Sequence, residues 1–163
     1  MGVNKDRPHV IVLPEDDGNR QLAVEFQAQL DPSRQRQMFV DNVARGWIKV
    51  LDLFESVHIA EMNTCPARSM VLLIDFDGHP DRVQQAKNRI PNHLADRVFI
   101  LGAFGEPEDL KRANLGSYEK IGSDMATDCR EGTNATWGHE LLQHNAGELD
   151  RLREHVRPIF FPV

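Results

Sequence analysis

Short, continuous apolar runs recur along the first two thirds of the chain. They occupy residues 9–13, 37–40, 69–74 and 97–101, and three of the four are rich in Val, Ile and Leu. Runs of this length and composition are typical of strands that are buried on both faces, as in a parallel sheet. The pattern therefore predicts four strands.

The segments between these runs show a different periodicity. In 43–60, apolar residues recur every three or four positions, which predicts an amphipathic helix. Helices are also predicted after the first strand, over 81–90 and from Glu106 onward. Strands that alternate with helices form right-handed βαβ units. We therefore expect a three-layer α/β fold with a mainly parallel four-stranded sheet flanked by helices.

The last third of the chain is predicted to be helical. One helix is expected to end near Gly132, and a second to run over 138–155, before an apolar tail at 157–162. We expect a single domain over 1–163, in which an α/β core (8–110) is followed by a C-terminal helical extension (117–163) that packs on it.

Composition and charge narrow the range of functions. Hydrophobic residues make up 40% and charged residues 27% of the chain, as in ordinary globular proteins. No apolar run approaches the roughly 20 residues that span a bilayer, and the N-terminus lacks the layout of a signal peptide. A cytoplasmic protein without a membrane partner is expected. The net charge of −6 argues against broad electrostatic binding of nucleic acid.

Acidic residues follow three of the predicted strands. Glu15 comes after the first, Asp75 and Asp77 after the third, and Glu106 after the fourth. The carboxyl ends of parallel strands meet at one edge of the sheet, where sites of α/β proteins form. Asp75 and Asp77 are two positions apart, so on an extended backbone they point the same way.

Carboxylates that share one place repel one another unless a cation neutralises them. Oxygen ligands suit Mg²⁺ or Mn²⁺, so we predict a metal site made of Glu15, Asp75 and Asp77, with Asp81 and Glu106 as outer ligands. Acids after strands also cap helices, which is the competing interpretation, above all for Asp81 and Glu106 in the first turns of their helices.

Histidines add one candidate. His79 directly follows the Asp75–Asp77 loop and could contact phosphate or transfer a proton near neutral pH. His139 and His144 are five positions apart, which places them about 140° apart around a helix, so they do not form the HExxH zinc motif. His144 and Asn145 remain candidates for the border of a site.

A glutamate after the first strand and an Asp-x-Asp after a later hydrophobic strand resemble the TOPRIM domain of topoisomerases, primases and overcoming-lysogenization-defect nucleases. The resemblance covers about residues 8–110. It implies Mg²⁺-dependent phosphodiester chemistry on DNA or RNA, which the chain would meet through bound metal despite its negative charge. It also implies that Glu15 is a general acid/base or metal ligand and that Asp75 and Asp77 are the metal-binding pair.

Two alternatives stay open. The segment 74–78 is similar to the nucleophile motif of haloacid-dehalogenase-like phosphatases, although that motif normally lies on the first strand. The chain could instead be a non-catalytic interaction module on a TOPRIM-like scaffold. In that case the tail around Phe160 and Phe161 would dock on a protein partner or a second copy of the chain.

Overall fold

The computed structural model describes residues 2–162 and contains four strands. They are β1 (His9–Pro14), β2 (Met38–Val40), β3 (Arg68–Leu73) and β4 (Val98–Leu101). The strands form one sheet in the order β2-β1-β3-β4, and every neighbouring pair is parallel. The predicted α/β class and parallel four-stranded sheet are confirmed.

Seven α-helices of the described chain lie around this sheet. Their bounds are α1 (Asp17–Gln27), α2 (Trp47–Leu53), α3 (Ile59–Thr64), α4 (Arg82–Lys87), α5 (Pro107–Arg112), α6 (Tyr118–Glu131) and α7 (Ala146–Phe160). A π-helical stretch, Phe54–His58, joins α2 to α3. Short 3₁₀ turns precede β2, β4 and α7.

The sheet is covered on both faces. Val10 and Val12 of β1 face a core that includes residues of α1, α6 and α7, whereas Ile11 and Leu13 face a core built with the α2–α3 region and α4. All six residues of β1 are buried. This double burial explains why the strand is a continuous apolar run and not an alternating one.

Side chains from the C-terminal region cover the outer edge of β4. Glu148 of α7 accepts a hydrogen bond from the Ile100 N–H at 3.0 Å. Asn145 accepts from the Gly102 N–H at 3.1 Å and donates to its carbonyl oxygen at 2.9 Å. Arg151 donates to the Val98 carbonyl oxygen at 3.0 Å. These side chains take the place of a fifth strand.

The prediction of a helix over 138–155 is wrong at its start, because α7 begins at Ala146. The preceding segment is held in turns, in which the His139 ring accepts from the Leu141 N–H at 3.1 Å and the Leu141 carbonyl oxygen accepts from the Phe104 N–H at 2.9 Å. A side chain that binds a nearby backbone N–H offers the backbone an alternative to a helix.

The segment 157–162 was predicted to be an apolar tail after the last helix, but most of it belongs to α7. α7 continues through Pro158 to Phe160, and Ile159 and Phe160 are only 7% and 4% exposed. The Phe160 ring packs edge-on against Phe26 of α1, with centroids 6.1 Å apart. Ile159 and Phe160 thus belong to the protein's own core and do not form an exposed surface for a partner. Within the described residues, no helix has both the length and the apolar character needed to cross a bilayer.

Candidate functional site

Glu15 and Asp75 meet at the carboxyl ends of β1 and β3. The backbone hydrogen bonds between these strands continue as far as the one that the Glu15 N–H donates to the Leu73 carbonyl oxygen. Beyond that point the Glu15 side chain continues the ladder, since its Oε2 accepts from the Asp75 N–H at 2.6 Å. The predicted proximity of these two residues is therefore found. Burial is the largest influence on Glu15 and raises the pKa of its carboxyl group.

The Asp75 carboxyl group is buried among polar groups that carry no positive charge. The residue is 5% exposed, and its Oδ1 accepts from the Asn19 side-chain amide at 2.8 Å. Asp16 contacts the same carboxyl group, and burial together with this contact raises the pKa of Asp75 to about 9. At neutral pH Asp75 is thus largely protonated, with Asp16 as its neighbour.

The start of α1 brings Asp16 and Asn19 to this place. Asp16 is the N-cap of α1, and its Oδ1 accepts from the Asn19 backbone N–H at 2.9 Å. The cap fixes the first turn of the helix, and that turn holds the Asn19 amide over Asp75. Asp16 therefore has a structural role and also belongs to the acidic pair.

Asp77 lies in different surroundings from Asp75. The extended backbone predicted across these residues is not found, because Asp77 has φ 48° and Gly78 has φ 76°. The Asp77 side chain is 44% exposed and pairs with Arg82 at 2.7 Å. Arg82 also donates to the Asp75 carbonyl oxygen at 2.7 Å and stacks over Trp47, 4.6 Å from the ring centroid. Asp77 is therefore neutralised by the chain itself.

The outer candidates have local partners. Asp81 is exposed, precedes α4 and accepts from the Gln85 side chain at 3.0 Å. Glu106 is the exposed N-cap residue of α5, and its backbone N–H donates to Asp109 at 2.9 Å. Both positions match the helix-start role that competed with metal binding. His79 is exposed in the loop after Gly78, where its backbone N–H donates to the Phe76 carbonyl oxygen.

Two further ionisable rings lie in this region, Tyr118 near the acidic residues and His144 beside Phe76. Burial, followed by the nearby Glu108, raises the pKa of Tyr118 to about 12, and the charges of Asp16 and Asp75 act in the same direction. His144 packs against Phe76 with ring centroids 4.6 Å apart, and burial lowers its pKa. His144 is therefore neutral near pH 7.

Across residues 2–162, no three or more His, Cys, Asp and Glu side chains come together as a group that could hold a metal ion. The carboxyl groups that do converge are those of Asp16 and Asp75, and Glu15 binds the backbone N–H of Asp75. Mg²⁺ commonly uses one or two protein carboxylates and completes its coordination with water and substrate phosphate. Two carboxyl groups match this mode, in which water and substrate phosphate complete the coordination, and are too few for a site made of protein ligands alone.

Sequence reasoning missed Asn19 and Arg82 as parts of this site. Asn19 lies four positions after Glu15, one turn into α1, where a helix directs side chains back toward its own start. Arg82 is the first residue of α4, five positions after Asp77. In the sequence, the indication of both residues was their position, since each stands at the start of a helix that follows an acidic strand end.

The chain matches no protein-family model, no curated protein and no solved structure.

Proposed function

We propose that this protein is a Mg²⁺-dependent, TOPRIM-like enzyme that acts on phosphodiesters at the carboxyl ends of β1 and β3. The observation that carries the proposal is the Asp16–Asp75 pair, in which burial and the second carboxylate raise the pKa of Asp75 to about 9. Two adjacent carboxylates repel each other, and a cation between them relieves this repulsion and favours ionisation of both.

Asp16 and Asp75 are the residues that would hold the ion, and a substrate phosphate would complete its coordination. Bound there, Mg²⁺ would stabilise negative charge on the phosphate and lower the pKa of a bound water. Asn19 orients the Asp75 carboxyl group through its 2.8 Å hydrogen bond. Arg82 holds the loop through the Asp75 carbonyl oxygen, so that Asp75 stays turned toward Asp16.

Glu15 is the candidate proton carrier. Burial raises the pKa of its carboxyl group, which brings it closer to the neutral range where general acid/base groups work best. One of its oxygens is held by the Asp75 N–H, so any proton transfer would use the other oxygen. His79 is a second candidate, in the adjacent exposed loop.

The first test is calorimetric titration of MgCl₂ and MnCl₂ into the protein at pH 7, in two buffers with different ionisation enthalpies. Binding should release up to about one proton per ion, because Asp75 must lose its proton to become a ligand. Asp75→Asn should abolish both binding and proton release. Asp150→Asn, at an exposed position on α7, is the matched control and should bind as wild type does.

Activity is tested with labelled single- and double-stranded DNA and RNA, and with a small phosphomonoester, in the presence of Mg²⁺. Metal-dependent cleavage of a phosphodiester that Asp75→Asn and Glu15→Gln both remove is the expected result. Turnover of the phosphomonoester alone would favour the haloacid-dehalogenase-like alternative. If the titration gives neither binding heat nor proton release, the metal site is wrong and the non-catalytic interaction module is favoured.

A further inference from the structure

β2 forms the second outer edge of the sheet, and it lacks the cover that α7 gives to β4. Within the described chain no strand lies outside β2. The Asp41 N–H points inward and donates to the Val12 carbonyl oxygen. Because the backbone groups of successive strand residues point to opposite sides, the N–H and C=O of Val40 point outward. Gln27 covers the Met38 carbonyl oxygen at 2.6 Å.

The N-terminal segment runs beside the beginning of this edge, and its Gly2 lines grooves next to Phe39 and Val40. The Asn4 N–H donates to the Arg36 carbonyl oxygen at 3.0 Å, two residues before β2 begins. The part of the edge that follows, around Val40, therefore presents backbone groups that can pair with an added strand.

Exposed apolar side chains are concentrated beside the same edge. Within residues 2–162, the exposed large apolar side chains all belong to β2 or to the helical stretch 47–58: Phe39 (38%), Ile48 (45%), Leu53 (37%) and Val57 (43%). Phe39 pairs with Ile11, which faces the α2 side of the sheet, and Phe39 and Val57 line one groove there. Exposed apolar surface of this kind marks interaction sites.

The opposite side of the edge is basic. A groove between α1 and β2 is lined by Arg20 and Arg36 together with Val24 and Gln27, and no acidic side chain lines it. This local positive charge belongs to a chain whose net charge is −6. The groove is therefore complementary to an acidic ligand.

We propose that the outer edge of β2 binds an extended peptide segment of a partner protein in which acidic and apolar residues alternate. In an added strand, successive side chains point to opposite faces of the sheet. One set would pack on Phe39 and Val57, and the other would reach Arg20 and Arg36. Backbone hydrogen bonds to Val40 would supply affinity that does not depend on sequence.

The probe is a short fluorescein-labelled peptide that alternates aspartate and valine, followed by fluorescence anisotropy. Two comparison peptides share its length: one has the same composition with the aspartates and valines in separate blocks, and one alternates lysine and valine. The alternating acidic peptide should bind most tightly, and its affinity should fall with added salt.

Variants assign the surface. Arg20→Glu/Arg36→Glu should weaken binding of the acidic peptide by about tenfold or more and improve binding of the lysine peptide. Val57→Ser should weaken binding by about threefold or more, as a lost apolar contact does. Arg130→Glu, at an exposed arginine on α6, is the charge-matched control and should leave affinity unchanged. Circular dichroism and the melting temperature verify that each variant is folded.

Equal binding of all three peptides, or unchanged binding by the double variant, would overturn the proposal. Sedimentation velocity without peptide supplies the other decisive outcome. A dimer that the double variant dissociates would show that a second copy of the chain, and not an acidic peptide, occupies this edge.

Discussion

Two buried carboxyl groups of this protein are similar in exposure and opposite in chemistry. Glu148 and Asp75 are 7% and 5% exposed, and burial is the largest influence on both. Burial acts to raise the pKa of Glu148, but Lys87 at 2.6 Å, the Ile100 N–H and Arg151 together hold it below its usual value. Asp75 has no such cations, and its pKa is raised to about 9.

The difference separates a structural carboxylate from a candidate functional one. The chain supplies the positive charge that Glu148 needs, and the result is a sealed sheet edge. Beside Asp75 it supplies the amide of Asn19 and the second acid Asp16. A buried carboxyl group left without a cation has a stability cost that evolution usually removes, unless the group serves a ligand.

The largest expected effect is on Glu148. Glu148→Ala leaves the Ile100 N–H without its acceptor and Lys87 and Arg151 without their shared anion, so the free energy of unfolding should fall by about 3–4 kcal/mol. Urea denaturation measures the change. Asp150→Ala, at an exposed position two residues away, should stay within about 0.5 kcal/mol of wild type. A loss below about 1 kcal/mol for Glu148→Ala would show that the ion pairs and hydrogen bond of Glu148 contribute little to stability.

Removing a neutral side chain from the same sheet edge should lower the free energy of unfolding by less. Asn145→Ala removes the bonds to the Gly102 N–H and C=O and one to the Leu142 carbonyl oxygen. The expected loss is about 2 kcal/mol, since no charge is left unpaired. If Asn145→Ala costs more than Glu148→Ala in the same urea experiment, the cations around Glu148 are not the dominant part of that edge.

Asp75→Asn should change the dependence of stability on pH. A carboxyl group whose pKa is raised on folding keeps its proton in the native state and loses it in the unfolded state between about pH 4 and pH 9. Its contribution to stability is therefore full below pH 4 and is lost as the pH rises toward 9. The variant lacks this loss, so its advantage over wild type should grow by up to about 1.4 kcal/mol per pH unit.

Melting temperatures of both proteins from pH 5 to pH 9 measure this difference. Burial lowers the pKa of four histidines: His9, His58, His144 and His155. Both proteins are therefore less stable below about pH 6.5, and this shared loss cancels when the two profiles are subtracted. Parallel profiles for wild type and Asp75→Asn would mean that Asp75 is ionised in the folded protein.

The sheet and the position of the site were accessible from sequence because both follow from local pattern. Continuous apolar runs predicted the buried strands, and the geometry of parallel sheets placed Glu15 next to Asp75. The strand ends bring Glu15 and Asp75, two of the residues predicted to bind metal, together, as the 2.6 Å contact shows.

What could not be predicted depends on contacts between distant residues. The backbone groups of Leu141 bond to the His139 ring and to the Phe104 N–H and not within a helix, and Phe160 extends α7 through Pro158 by packing on Phe26. Asp77 has a left-handed backbone and pairs with Arg82, so it does not share the surroundings of Asp75. Periodicity and propensity carry no information on such partners.

The cover that Glu148 and Asn145 give to β4 also has a consequence for the order of folding. These residues follow β4 in the chain only after α5 and α6, so the amides of Ile100 and Gly102 gain their partners through long loop closures. The N–H groups of β4 that point outward should thus be the last of the sheet to resist hydrogen exchange during refolding. Their protection reports the docking of α7.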